Sequence, residues 1–265
     1  MAARPIIALL SDFGLRDHYV AAMKAVVLGI CPDVSLVDIS HDIPPQDILA
    51  GALELEAIVP YLPRGAVVLA VVDPGVGSGR RAVAIEAGGL HFVGPDNGLF
   101  SLALAGLSQA TAVSIEDRRF VRERISRTFE GRDRFAPAAA WLACGTATGE
   151  LGPAVHGLVR LDVPAATRSR DGVEGVVLRV DHFGNLVTNL GDEDLPALRS
   201  GVTVHVAGAT IHGIAGTYAE VAPGALCAMV GSTGRLEISV NGGSAALMLK
   251  AGRGTSAHVR LRSGA

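Results

Sequence analysis

Cysteine is scarce and unpatterned in this chain. Cys31, Cys144 and Cys227 are odd in number, far apart and set among apolar neighbours. That excludes a disulfide framework and a cysteine-based zinc site, and leaves the three as small core residues of a reducing compartment. None of the eight histidines pairs with another His or Cys at metal-ligand spacing, so no metal is expected. The usual nucleotide signatures are missing too: no Gly-x-Gly-x-x-Gly follows the first strand, and there is no P-loop lysine. The longest apolar runs are about strand length, and Met1-Ala2-Ala3-Arg4-Pro5-Ile6 has no charged head, apolar core or cleavage site. A soluble, cytoplasmic protein without a membrane partner is the expectation. A net charge of −3 gives no general attraction to phosphate backbones, which argues against nucleic acid. The basic run Arg118, Arg119, Arg122, Arg124 and Arg127 is interleaved with Glu116, Asp117 and Glu123 and reads as a solvated face.

What the chain does have is Ala, Val, Leu and Gly with only 4% aromatics, a balance suited to a sheet covered by helices on both faces. At 265 residues it is long enough for one large or two medium domains. β-Branched runs at 6–10, 34–38 and 66–72 alternate with longer periodic runs at 19–30 and 48–62. Strand, helix, strand, helix, strand means a mostly parallel sheet flanked by helices. The second helix is punctuated by Pro44-Pro45 before it and Pro63-Arg64-Gly65 after it. A hairpin at 82–86 and 90–93 turns at Gly88-Gly89; a short helix at 98–105 and a last one at 135–146 complete this half. Residues 163–172 read as a linker. Beyond it short apolar runs recur at 173–180, 202–206, 226–230, 236–240 and 245–249, as in a small all-β barrel. The expected architecture is therefore an α/β domain over 1–165 followed by a β-barrel domain over 173–265.

The most informative stretch is Val71-Val72-Asp73-Pro74-Gly75-Val76-Gly77-Ser78-Gly79-Arg80-Arg81. A buried-looking strand delivers Asp73 to the edge of the sheet where open α/β folds bind ligands, and Arg80 or Arg81 can fold back to keep its carboxylate ionised and aimed. After the first strand, Ser11-Asp12-Phe13-Gly14 with Asp17, His18 and Tyr19 offers a carboxylate that can accept both hydroxyls of a ribose diol. Gly94-Pro95-Asp96-Asn97-Gly98 reads as a turn and helix entry. Thr128-Phe129-Glu130-Gly131-Arg132-Asp133 puts dense charge just before a helix. In the β half, Asp181-His182-Phe183-Gly184-Asn185 ends a strand; Asp181 can bind an ammonium, and Asn185 an adenine edge, because an amide both donates and accepts. The loops Gly231-Ser232-Thr233-Gly234 and Asn241-Gly242-Gly243-Ser244 can hold a carboxylate on backbone amides.

In this order, Ser-Asp-Phe-Gly, Asp-Pro-Gly-Val-Gly-x-x-Arg-Arg, Gly-Pro-Asp-Asn-Gly, Phe-x-Gly-Arg-Asp and Asp-x-Phe-Gly-Asn resemble the S-adenosylmethionine hydroxide adenosyltransferases, a family that also contains chlorinases and fluorinase. The resemblance spans residues 6–249. It implies a homotrimer whose sites lie between the N-domain of one subunit and the C-domain of the next. It implies cleavage of the C5′–S bond of S-adenosylmethionine by water or halide with no cofactor, since the sulfonium is already a good leaving group. By motif position Asp12 binds the ribose, and Asp17, His18 and Tyr19 border the nucleoside. Asp181 and Ser232 face the methionine end and Asn185 the adenine, with Glu237 and Asn241 nearby. Halogenases of this fold replace the motif aspartate by an uncharged residue; Asp73 with Arg80 therefore points to water, which a fixed carboxylate polarises, whereas it repels halide.

One departure stands out. The hydrolases carry Asp, Arg and His, with the His in Phe-His-Gly-Arg-Asp, and this chain has Glu130 there. An unperturbed Glu, of pKa about 4.3, is a poor base beside a neutral imidazole. Three outcomes are open. Glu130 beside Asp73 can push one carboxylate upward and make a base. An ionised Glu130 can hold the sulfonium ground state and slow the chemistry. Or Glu130 pairs with Arg132 or Arg80 and leaves the set without its third member. The leading expectation is hydrolysis to adenosine and methionine through Asp73, Arg80 and Glu130; the alternatives are a non-catalytic nucleoside-binding protein and a halide-using adenosyltransferase.

Overall fold

The computed structural model describes residues 4–195 and 201–261; Met1, Ala2 and Ala3 of the N-terminal reading lie outside them. The chain divides into two compact units, Met1–Leu161 and Asp162–Ala265.

The first unit runs β1 (Ile6–Ser11), α1 (Tyr19–Ile30), β2 (Ser35–Ser40), α2 (Ile48–Ile58), β3 (Val67–Val71), β4 (Ala82–Ala87), β5 (Leu90–Pro95), α3 (Ser101–Ala105), β6 (Thr111–Ser114) and α4 (Ala136–Ala143). The sheet order is β2-β1-β3-β5-β4-β6; β2, β1, β3 and β5 are parallel, and β4 alone runs the other way, antiparallel to β5 on one side and β6 on the other. β3 is buried at every position, which is why it reads as an unbroken apolar run rather than an alternating one. Successive side chains leave a strand on opposite faces. Ile7, Leu9, Val67, Leu69 and Val71 pack with Met23 and Val27 of α1 and Ala139 of α4; Leu10, Val68, Ala70 and Val72 pack with Ala50 and Leu55 of α2 and Ala103 of α3. The chain thus leaves β1 to one side through α1 and returns to the other through α2. The point where the order reverses, between β1 and β3, is where such sheets open a crevice at their carboxyl edge. Ser11 is in register with Val71, so Asp12 and Asp73 emerge side by side along that edge.

Local chemistry explains the boundaries. The side chain of Asp47 accepts from the backbone N–H of Ala50 and caps α2. The helix expected to reach residue 62 tightens into a 3-10 turn at Val59–Tyr61, because Pro60 lacks the N–H that an α-helix needs. β6 was not foreseen; four residues with one alternation carry too little periodicity. The reading of all three cysteines as core residues is corrected. Cys144 is exposed, and its thiol lies 3.8 Å from the carbonyl of Ile30, next to Cys31 at the far ends of α1 and α4. Burial, then the Cys144 thiol and charge beside it, push Cys31 up to about 12, so it is no thiolate at neutral pH.

The second unit contains β7 (Thr167–Ser169), β8 (Gly172–Val180), β9 (Leu186–Gly191), β10 (Val202–Val206), β11 (Ala209–His212), β12 (Leu226–Val230), β13 (Arg235–Val240), α5 (Ala245–Leu249) and β14 (Ser256–Leu261). The antiparallel order is β11-β10-β14-β8-β9-β13-β12, with β7 on β8. The two ends approach where Ala215 donates to the carbonyl of Ala228 at 2.8 Å, nearly closing a barrel around Val177, Leu186, Val204, Leu236, Ile238 and Val259. β7 lies inside the expected linker. The run at 245–249, expected as a strand, is helix α5. Ser244 caps it by accepting from Leu247, and Lys250 ends it in the left-handed region at φ 51°. Ala-Ala-Leu-Met-Leu has no β-branched residue, and propensity follows that rather than hydrophobicity. No helix among the described residues is long and apolar enough to cross a membrane.

Candidate active site

Val72 continues β3 as a buried residue and delivers Asp73 to the sheet edge. The chain then folds back through two tight turns, Val76 N–H to Asp73 carbonyl at 3.3 Å and Ser78 N–H to Gly75 carbonyl at 3.1 Å. This returns Arg80 over Asp73. Its Nε donates to both carboxylate oxygens at 2.9 and 3.0 Å, and its Nη2 also bonds Oδ2. The same Nη2 lies 2.8 Å from Oε2 of Glu130, and the ring of Phe135 sits 5.2 Å beneath the guanidinium. Burial alone would push Arg80 down; the hydrogen bond and charge of Asp73, followed by those of Glu130, outweigh it and hold the guanidinium above its ordinary value. Arg81 turns away to buried Asp96, with Nε 2.7 Å from Oδ2. The loop depends on Gly77, at φ +75°: a Cβ there would lie 2.4 Å from the carbonyl oxygen of Arg127.

Glu130 stands at the entrance of a π-helical turn, Gly131–Phe135, closed by the Ala136 N–H on the Gly131 carbonyl. Such turns are frequent at functional sites. The turn places Arg134 beside Glu130, Nε to Oε2 at 3.5 Å, while Arg134 Nη1 donates to the Ile115 carbonyl at 2.7 Å. Of the partners considered for Glu130, then, Arg80 is taken and Arg132 is not. Arg132 binds Asp133 through Nε and Nη2, each at 2.7 Å, and lies over Phe129 at 4.9 Å. Asp133 also accepts the Ser126 N–H and is paired with Arg122. Burial would raise its carboxyl; Arg132, the Ser126 N–H and Arg122 outweigh this and hold it below its ordinary value. A depressed carboxyl stabilises the fold fully above its unfolded pKa, about 3.8–3.9, and the contribution is lost as pH falls through the folded value. D133N is therefore expected to be less stable than wild type at pH 7, and the gap should narrow below pH 4; a gap that is flat with pH in thermal melts would contradict this.

Asp12 Oδ2 accepts the Gln46 N–H at 2.7 Å. Behind it Ser11 Oγ meets His41 Nδ1 at 2.7 Å, and His41 Nε2 meets Asp38, itself paired with Lys24. Asp17, His18 and Tyr19 are exposed at the start of α1. His18 stacks on Tyr19 at 4.8 Å, and Tyr19 meets the edge of Phe129 at 5.1 Å, next to Glu130.

In the barrel, Asp181 closes its own loop, accepting from the N–H groups of Phe183 and Asn185 and from the Asn185 side chain at 2.8–2.9 Å. Asn185 is buried, and its amide also reaches the Tyr218 hydroxyl at 3.5 Å. Glu237 is buried under Gly231, where a Cβ would lie 1.9 Å from Oε1. Burial, and then the charge of Asp181, raise the Glu237 carboxyl, with Arg179 easing it in part. Ser232 is exposed in its turn. Asn241 uses one side-chain N–H on the Val221 carbonyl at 2.8 Å, a loop-closing bond that takes one of its two donor hydrogens. Among the described residues no group of three His, Cys, Asp or Glu side chains is placed to hold a metal ion.

Residues 7–152 match the SAM hydroxide adenosyltransferase N-terminal domain, and residues 175–258 the corresponding C-terminal domain. The chain belongs to the SAM hydroxide adenosyltransferase family. Proteins named (R)-S-adenosyl-L-methionine hydrolase from Thermus thermophilus and Salinispora tropica are 46% and 44% identical to it, over 94% of this chain and 97% and 95% of their own. A fluorinase from an Actinoplanes species is 30% identical over 72% of this chain and 73% of its own. The crystal structure of an uncharacterized conserved protein from Thermotoga maritima superposes with a TM-score of 0.91 at 31% identity, covering 96% of this chain and 99% of that one.

Within this adenosyltransferase fold the sequence reading overlooked Arg134, Phe135, Tyr218 and the Ser11–His41–Asp38 chain. Arg134 was findable: Glu130 and Arg134 stand four apart at a helix entrance, a spacing that pairs opposite charges. Phe135 and His41 carried no signal, because a ring under a guanidinium and a contact across 30 residues arise only from the fold.

Proposed function

We propose that this chain hydrolyses S-adenosyl-L-methionine to adenosine and L-methionine. The observation that carries the reading is the Asp73–Arg80–Glu130 chain at the carboxyl edge of β3, in a family whose similar members are named hydrolases. Asp73 accepts a hydrogen bond from water and turns its lone pair toward C5′. The O–C5′ bond forms as C5′–S breaks, the bonding pair goes to sulfur to give the neutral thioether of methionine, and the water proton leaves through Asp73 to solvent. Arg80 keeps Asp73 ionised and aimed. Asp12 takes the ribose hydroxyls, with Asp17, His18 and Tyr19 along the nucleoside, and Asn185 takes the adenine. Asp181, Ser232, Glu237 and Asn241 take the methionine end, the α-ammonium supplying positive charge that would favour ionised Glu237. The α/β domain (1–165) thus holds the ribose and the attacking water, and the barrel domain (173–265) the adenine and the amino acid, in a cytoplasmic homotrimer whose sites join neighbouring subunits.

Halide as nucleophile is disfavoured by the fixed negative charge of Asp73. A purely binding role is favoured only by the Glu130–Arg80 pairing, which leaves no imidazole in the set. Chromatography of products from S-adenosylmethionine, with and without chloride, between pH 5 and 9, beside E130H, separates the three. Adenosine and methionine from wild type are expected. A chlorinated nucleoside overturns the choice of water, and adenosine from E130H alone makes the natural chain a binder.

A further inference from the structure

Glu130 and Arg134 form an unusual pair. Oε2 of Glu130 and Nε of Arg134 are both buried and both without an aligned hydrogen bond, yet they face each other at 3.5 Å. Groups of opposite charge left in this way are held together by charge rather than by directional bonding; Glu130 has a second partner in Arg80 at 2.8 Å, and Arg134 pairs with no other carboxylate among the ion pairs of the described residues. Arg134 is fixed from behind by the Ile115 carbonyl, so its guanidinium cannot swing out to water without breaking that bond. The charges around Glu130 then sum simply. Asp73 and Glu130 are negative; Arg80 and Arg134 are positive. Arg132 and Arg122 both pair with Asp133, Arg122 from an exposed position where water screens its charge, and the side chains nearest Gly131, which are Met23, Phe129 and Phe13, carry none.

We propose that Arg134 is a positioning residue which cancels the charge of Glu130, so that the site presents no net negative charge to the sulfonium of its substrate. The proposal rests on the hydrolase reading above and adds to it the control of ground-state binding. The chemical step destroys the positive charge on sulfur, so a carboxylate that attracts that charge binds substrate more tightly than transition state and slows turnover. A glutamate in place of the family histidine introduces such a carboxylate, and a guanidinium four residues on removes its effect. The need is for a planar, permanently charged group that reaches the Ile115 carbonyl with one nitrogen and Glu130 with another.

Charge at sulfur can be separated from shape with two ligands that cannot be hydrolysed: S-adenosylhomocysteine, a neutral thioether, and the aza analogue of S-adenosylmethionine, whose tertiary ammonium is protonated at pH 6. Calorimetric titration of wild type, R134M, E130Q and E130Q/R134M is the test. R134M is expected to bind the cationic ligand at least about tenfold more tightly, the gain that one unit charge gives even from about 12 Å at an effective dielectric near 20, and the neutral one within twofold of wild type. In kinetics with S-adenosylmethionine, R134M lowers KM and kcat together. E130Q, which leaves Arg134 uncompensated, is expected to weaken the cationic ligand selectively, and E130Q/R134M, neutral again, should return the ratio of the two affinities to that of wild type. If R134M does not fold, R134Q is read in its place. Equal weakening of both ligands by R134M, or a double variant whose ratio does not return to that of wild type, overturns the proposal alone. No binding of either ligand to wild type overturns the substrate reading and takes this proposal with it.

Discussion

D73N is expected to lower kcat by about 10²–10⁴-fold, the range typical of a lost general base, and to raise KM, because the site loses one negative charge toward a cationic substrate. The substitution is nearly isosteric and sits where the carboxylate is 5% exposed, so shape is kept and charge is lost. Two effects combine. The amide polarises water far less than a carboxylate does, and its NH₂ group meets Arg80 donors that now lie at 2.9 and 3.0 Å from oxygen, forcing the amide to turn or Arg80 to move. Arg80 would still be held by Glu130, which is why the fold should survive. Steady-state kinetics with thermal melts checks this, and a D73N protein as fast as wild type removes Asp73 from the mechanism.

R80M is expected to have the largest combined effect, loss of turnover together with about 3–5 kcal/mol of stability. Arg80 is the only side chain that touches both Asp73 and Glu130 among the ion pairs of the described residues. Removing it strands one carboxylate 5% exposed and another 12% exposed, and leaves the Phe135 ring without the cation above it. Arg134 reaches Glu130 but not Asp73 among those pairs, so Asp73 is the more exposed to the loss. R80K is expected to recover part of the stability and little of the activity, because one ammonium cannot reproduce a fork that serves two carboxylates. Urea melts at pH 7 measure it; an R80M protein as stable as wild type would mean that the chain of charges has no structural weight.

The sequence carried the fold well wherever a segment had one strong period. β1, α1, β3 and the β4–β5 hairpin were legible because their apolar runs are long for their class and end in Gly or Pro. β9, β11 and β14 were not foreseen. β9 reads Leu-Val-Thr-Asn-Leu-Gly, with Thr188 and Asn189 buried on backbone partners, so polarity hid a strand. α5 was misread because five apolar residues have no period to show; the decisive information lay in the cap and in Lys250. Asp73, Arg80 and Glu130 were legible as chemistry-bearing positions at element ends, but not which arginine each carboxylate takes. Arg81 and Arg132 are as near in sequence as the arginines chosen, and only the turn at Gly77 and the π-helical turn at Gly131 decide between them.

The close approach of Gly77 to Arg127 has a further consequence for how this fold can diversify. The loop that carries Arg80 packs so closely on the main chain of Arg127 that a Cβ at Gly77 would clash, and the Arg127 side chain donates to the Gly77 carbonyl at 3.3 Å, which moors the loop to the segment that leads into Glu130. Residue 130 can then be exchanged with this mooring intact, since it is made by Gly77 and Arg127 and not by the side chain being replaced. A scaffold arranged in this way tolerates trials at its third position, and a histidine-to-glutamate change is the kind of experiment that it lets a lineage survive.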